Sequence, residues 1–277
     1  MLLTLALTTV AIPLVLGVFL ACGVQFTSAK AALLALFASV LILVVYYLLE
    51  GVPPFPPISS KHKLAYLLIL IGVVGFGFGA MKNAPKTLIA LVVGLVALGW
   101  IAQRKIASDP FQPELFLALL PVLGLTGNTA LRAELRQDLF LWPIMTLALA
   151  IAGAIVSVLG GYIGLAQMLG ACAALTGGYL ALTYLRVAVL GKAVDAGKAA
   201  ALNWVLLASV SIILLSIAVF ASKLSSLAFV LLCLLYAIPF VAARFAGRMN
   251  WKAPIATGGY AVVPALAAIA TAWLTAA

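Results

Sequence analysis

The side chains able to carry chemistry are few in this sequence, and their spacing limits what they can do. Six carboxylates occur among 277 residues, at Glu50, Asp109, Glu114, Glu134, Asp138 and Asp195, together with one histidine and three cysteines. Asp109 and Glu114 lie in the stretch Ser108-Asp109-Pro110-Phe111-Gln112-Pro113-Glu114. It leads into a short apolar run interrupted by Pro121 and followed by Gly124, Gly127 and Asn128. Carboxylates beside helix breaks are how carriers offer polar backbone to a solute at membrane depth. With Gln167, the residues Asp109, Glu114 and Asn128 form a candidate solute path. The opposing reading puts both acids at a helix start in the interface, where the dipole favours negative charge.

Glu134 and Asp138 are four apart, so one helix face can present both to a magnesium ion on a lipid diphosphate. Intramembrane prenyltransferases use two acid-rich clusters, whereas only Asp195 follows Asp138 here. His62 stands alone between Lys61 and Lys63. One histidine cannot supply paired haem ligands, and no thiolates or acids stand near it to complete a metal site. Cys22, Cys172 and Cys233 sit inside apolar runs without a C-x-x-C pair and read as small packing residues. No G-x-S-x-G, H-E-x-x-H or paired intramembrane aspartate occurs. The sequence implies no catalytic residue, no metal and no cofactor, and leans against an enzyme.

The elements that must position these groups follow from composition. Hydrophobic residues make up 66% of the chain and charged residues 8%, against roughly 25% charged in typical soluble proteins. The charges fall in short gaps between apolar runs about as long as a bilayer is thick. Spans are expected at 1–24, 31–49, 64–81, 87–103, 139–159, 162–185, 201–221, 224–243 and 253–277, with a doubtful tenth at 115–126 that contains Pro121. That run is either re-entrant or starts earlier, near Asp109. The fold class is all-α: a polytopic transmembrane bundle of nine or ten spans with short loops, residues 1–277 forming one integral membrane domain. Cys22 follows Leu20-Ala21 as in a lipoprotein cleavage site, but no basic segment precedes the first run, so it reads as an uncleaved span. No internal repeat is visible.

The net charge of +10 comes from Lys and Arg scattered between the runs. Scattered cations suit membrane lipid head groups as partners, and no basic stripe supports nucleic acid. Whether or not 115–126 spans, the positive-inside rule puts loops 186–198 and 244–252 in the cytoplasm and the C-terminus outside. The N-terminus and the loop around Pro53 change sides between the two readings. Arg186 reads as snorkelling to the cytoplasmic head groups.

The most distinctive loop is Glu50-Gly51-Val52-Pro53-Pro54-Phe55-Pro56-Pro57. Four prolines favour stiff polyproline II, which holds Phe55 outward. Pro54, Phe55 and Pro56 are therefore a candidate contact for a partner or for lipid. The alternative is a rigid connector, with Ser59 or Ser60 capping the next helix. The loop resembles a G-x-P-P-F-P-P stretch of uncharacterised bacterial multi-pass membrane proteins. The resemblance covers these few residues, carries no assigned activity, and implies a bacterial cytoplasmic membrane.

From 128 to 138 the chain reads as an amphipathic interfacial helix, with Leu131, Leu135 and Leu139 recurring every fourth residue. Small-residue stripes at Ala166, Gly170, Ala174 and Gly178, at Gly75 and Gly79, and at Ala261 and Ala265 allow close helix packing and predict that their helices are central. Gln167 beside the first stripe is placed for an interhelical hydrogen bond.

Three functions fit these features: first a small-solute carrier or permease, second a non-catalytic accessory or scaffold subunit of a larger membrane complex, third a lipid-modifying enzyme. A carrier needs a polar cavity near the bilayer centre. A solidly packed interior favours the subunit.

Overall fold

An apolar run that leaves water must satisfy its backbone within itself, and every regular element among the described residues is helical. The computed structural model describes residues 2–26, 30–81, 85–131, 138–192, 194–243 and 253–276. The elements begin with α1 (Thr4–Gln25), which contains a π-helical turn at Leu7–Ala11. Next come α2 (Ala31–Glu50), α3 (Ser60–Ala80), α4 (Lys86–Ser108) and α5 (Pro113–Thr129). Then follow α6 (Leu141–Leu159), α7 (Ile163–Val189) and α8 (Ala196–Phe220). The last two are α9 (Ser226–Ala242), with a 3-10 turn at Leu234–Ala237, and α10 (Ala253–Ala276). Eight of them, all but α5 and α9, are long and apolar enough to cross a membrane.

The centre belongs to α8. It has no charged residue after Lys198, and residues 201–219 are all buried. A helix that is apolar on every face has no side to offer water. The helices α2, α3, α4, α5, α9, α6 and α7 surround it in that order, each touching the next and α7 returning to α2. Outside this ring, α1 packs against α7 and α2, and α10 against α6 and α9. The helices bearing the small-residue stripes are therefore ring members (α3, α7) or peripheral (α10), in contrast to the central position expected of them. A stripe governs how closely one face approaches one neighbour. Enclosure requires fitted apolar side chains all round, which α8 has.

The stripes do mark close approaches. A Cβ on Gly178 would run into the Leu14 backbone carbonyl, and one on Gly17 into that of Leu175, so α1 and α7 touch main chain to main chain. Gly75 lies against Val205 of α8, and Gly79 against the Ala32 backbone of α2.

Polar groups on α8 are mostly satisfied inside the bundle. The hydroxyls of Ser209, Ser211 and Ser216 donate to the carbonyls of Val205, Leu207 and Ile212 at 2.8, 2.8 and 2.9 Å. Trp204 Nε1 donates to Thr129 Oγ1 at 3.1 Å, and the Trp204 ring meets Phe78 edge-on at 4.6 Å. Asn203 is buried, and its amide has no partner among the described residues.

The doubtful run is a continuous helix. It reaches back to Pro113, at the first turn where proline costs nothing, and runs through the buried Pro121 for 17 residues. Gly94 of α4 lies against Val122 of α5, so the two pair as a hairpin closed by residues 109–112. Proline deprives one carbonyl of its donor; surrounding packing holds the helix regardless.

Gly178→Val is expected to destabilise the protein by about 1–3 kcal/mol through overpacking, seen as a lower thermal midpoint in detergent. Gly99→Val, where a new Cβ has nothing within 4 Å, should leave the midpoint near wild type.

Candidate functional site

The carboxylates are held at helix ends. Asp195 caps α8, its Oδ1 accepting from Gly197 and Lys198 amides at 3.0 and 3.3 Å. Asp138 lies just ahead of α6 and accepts from the Phe140 and Leu141 amides at 2.8 and 2.9 Å. Asp109 is exposed and closes the α4–α5 turn by accepting from Phe111 N at 2.9 Å. Glu50 pairs with Lys61 Nζ at 2.7 Å. Glu114 lies in the first turn of α5, where a carboxylate suits the helix dipole. Glu134, and with it most of the amphipathic 128–138 segment, lies outside the described residues.

The four candidate path residues do not converge. Asp109 and Glu114 are at the start of α5, and Asn128 is at its far end. There the fully buried Asn128 amide donates to Gly124 O at 2.9 Å and to Tyr236 O at 3.0 Å, binding α5 to α9. Gln167 is half-buried near the start of α7, which does not touch α5 through any extended interface. The larger recesses described are apolar. One of them, between α5 and α9, is lined by Gly124, Gly127, Tyr236 and Phe240.

The proline loop is the better-built feature. Gly51 ends α2 with φ 76°, a left-handed conformation that glycine adopts without strain. The Tyr66 hydroxyl of α3 donates to Pro54 O at 3.1 Å, and Tyr46 of α2 donates to Lys61 O at 3.1 Å. Phe55 stacks edge-on against Tyr66 at 6.2 Å, and Tyr66 in turn faces Trp100 of α4 at 6.3 Å. Lys63 Nζ donates to Trp100 O at 2.8 Å. The loop is thus tied to α2, α3 and α4 while Phe55 stays 87% exposed. Val52 and Ile58 of the same loop are also exposed. Ser59 takes the N-cap position of α3, but its hydroxyl makes no capping bond. Beside this platform, burial pushes the Tyr162 phenol above its ordinary range, with the Glu50 carboxylate adding to the effect.

Sequence reading singled out Pro54, Phe55 and Pro56 but missed Tyr66 and Trp100. The signal for them was aromatic residues near the ends of apolar runs, where amphipathic rings anchor an interface. The arrangement is a stiff apolar projection on an aromatic base, with no nucleophile and base in contact. It can bind; its residues offer no bond-making chemistry.

No protein family, curated protein or solved structure matches this chain.

Tyr66→Phe removes the donor to Pro54 O and is expected to cost about 1 kcal/mol. A spin label at the exposed Val52 should gain mobility in this variant. Unchanged label mobility would show that Tyr66 does not hold the loop.

Proposed function

We propose that this chain is a non-catalytic subunit of a larger membrane protein complex, with Pro54, Phe55 and Pro56 as its docking point for another membrane subunit. The observation that carries the reading is α8, which fills the bundle axis and is buried on every side. A carrier needs a polar route along that axis, and Asp109, Glu114, Asn128 and Gln167 do not assemble one. A lipid-modifying role for Asp138 is disfavoured, because its carboxylate is engaged by the Phe140 and Leu141 amides. The exposed, anchored Phe55 has the character of a binding anchor, a large ring held rigid before contact.

In this reading all ten helices cross a bacterial cytoplasmic membrane. Support comes from α5. Its C-terminal Thr129 meets Trp204 of α8, while the end of α4, just before α5 begins, shares a recess with Phe220 of α8. Between residues 204 and 220 a helix rises about 24 Å, so α5 traverses most of a hydrocarbon layer. Ten crossings put the N-terminus, the C-terminus and the proline loop outside, with loops 186–198 and 244–252 in the cytoplasm, in accord with the positive-inside rule.

Two experiments test this. Cysteine introduced at the exposed Val52 of the proline loop should react with an impermeant maleimide in intact cells, and one at the exposed Lys192 only after permeabilisation; the reverse pattern inverts the topology. Mild detergent extraction followed by mass spectrometry should recover a stoichiometric membrane partner that Phe55→Ala releases. A lone chain that moves a solute in proteoliposomes would instead establish a carrier.

A further inference from the structure

A small recess of about 90 Å³ opens where α3 begins, beside the last turns of α4 and the end of α8. It is far below the roughly 300–1,000 Å³ of organic-ligand pockets. Its walls include Ser59, Ser60 and Lys63 from the start of α3, Arg104 and Lys105 from α4, and Phe220 from α8.

Three cations meet here without an acid. The ion pair at this end of the bundle, Glu50–Lys61, involves none of them, and among the described residues none has a carboxylate within ion-pair distance. Lys63 is only 8% exposed. Its ammonium carries three donors, of which one is engaged by Trp100 O. A buried cation lacking a counter-ion is expensive to maintain. Ser59 Oγ is buried against the recess with no partner. The His62 and Lys63 amides donate to Ser59 O, which leaves those of Ser60 and Lys61 at the start of α3 without a helical acceptor, and the helix dipole adds positive potential at that point.

We propose that this recess binds a single phosphate group bearing net negative charge, from an anionic phospholipid head group or from free phosphate. The oxygens would accept from Ser59, from the Ser60 and Lys61 amides of α3, from the remaining Lys63 donors and from the Arg104 guanidinium. Guanidinium and ammonium donors to phosphate make short charge-assisted bonds. The neighbouring Tyr66 and Trp100 are interface-type anchors, which sets the recess at head-group depth and favours the lipid as source. The inference stands apart from partner docking at Phe55, since it uses different side chains.

The test uses the purified full chain in an uncharged maltoside and a phosphate-free buffer. Its thermal midpoint is followed against short-chain phosphatidylglycerol, phosphatidylcholine of equal chain length, and inorganic phosphate. Phosphatidylglycerol should raise the midpoint saturably and phosphatidylcholine should not. A matching rise with millimolar phosphate identifies free phosphate as sufficient, and no rise identifies the lipid. Arg104→Gln, at an exposed position, should weaken the apparent affinity at least tenfold. Lys63→Met should abolish the rise, and the exposed Lys223→Gln should leave it intact. Equal rises with both lipids, wild-type affinity in Arg104→Gln, or no rise with either phosphatidylglycerol or phosphate would overturn the proposal.

Discussion

A helix enclosed on every side constrains everything placed around it. Residues 201–219 of α8 have no exposed face, so its neighbours must form a closed ring and each must present a fitted apolar surface inward. In lipid no hydrophobic force drives that closure, since hydrocarbon surrounds the bundle anyway; packing and interhelical hydrogen bonds must do it. The bonds are found where the ring needs joining. Trp204 ties α8 to the end of α5, and Ser211 Oγ meets the Tyr236 hydroxyl of α9 at 2.7 Å. Tyr236 also accepts from Asn128 through its carbonyl. That carbonyl lies in the 3-10 turn of α9, beside Pro239, which cannot donate back along the helix. The local break supplies an acceptor to a neighbouring helix, so the irregularity contributes to closure.

The same constraint explains the distribution of charge. With the axis filled, ionisable groups are pushed to the helix ends, where three aspartates organise backbone amides and Glu50 meets Lys61. Such positions suit carboxylates because unsatisfied amides and the helix dipole both favour negative charge there. Ionisable groups inside a membrane bundle commonly mark ion or substrate paths. Among the described residues the buried polar side chains of the bundle are chiefly hydroxyls and amides.

The helical class and nine of the ten runs were legible in the sequence, because charge and loop residues delimit them directly. Two features were not. Around Pro121 the sequence left open a re-entrant run or one starting earlier, since a local rule counts the lost hydrogen bond and not the packing that outweighs it. Glycine stripes in α3 and α7 read as central, since spacing reveals a close contact without saying whether the partner lies inward or outward. Gly17, four residues before Ala21, was not singled out, yet it faces Leu175 as closely as Gly178 faces Leu14. The central helix left only a weak trace: an apolar run without glycine after residue 197 and with Ser209, Ser211 and Ser216 on several faces. Its tolerance of hydroxyls follows from each bonding to the carbonyl four residues back.

Rigidity at the proline loop follows from what stands beneath it. Tyr66 belongs to α3 and Trp100 to α4, and both helices rest against α8. The platform therefore rests on helices packed against the bundle axis, while Phe55 itself remains uncovered. A partner meeting a ring already fixed in place gives up little conformational entropy on contact, whereas the same ring on a glycine-rich loop would have to be ordered first. Four prolines at a surface turn are thus the local counterpart of an enclosed helix at the centre: one restricts the chain by covalent geometry, the other by packing, and the aromatic pair between them connects the two.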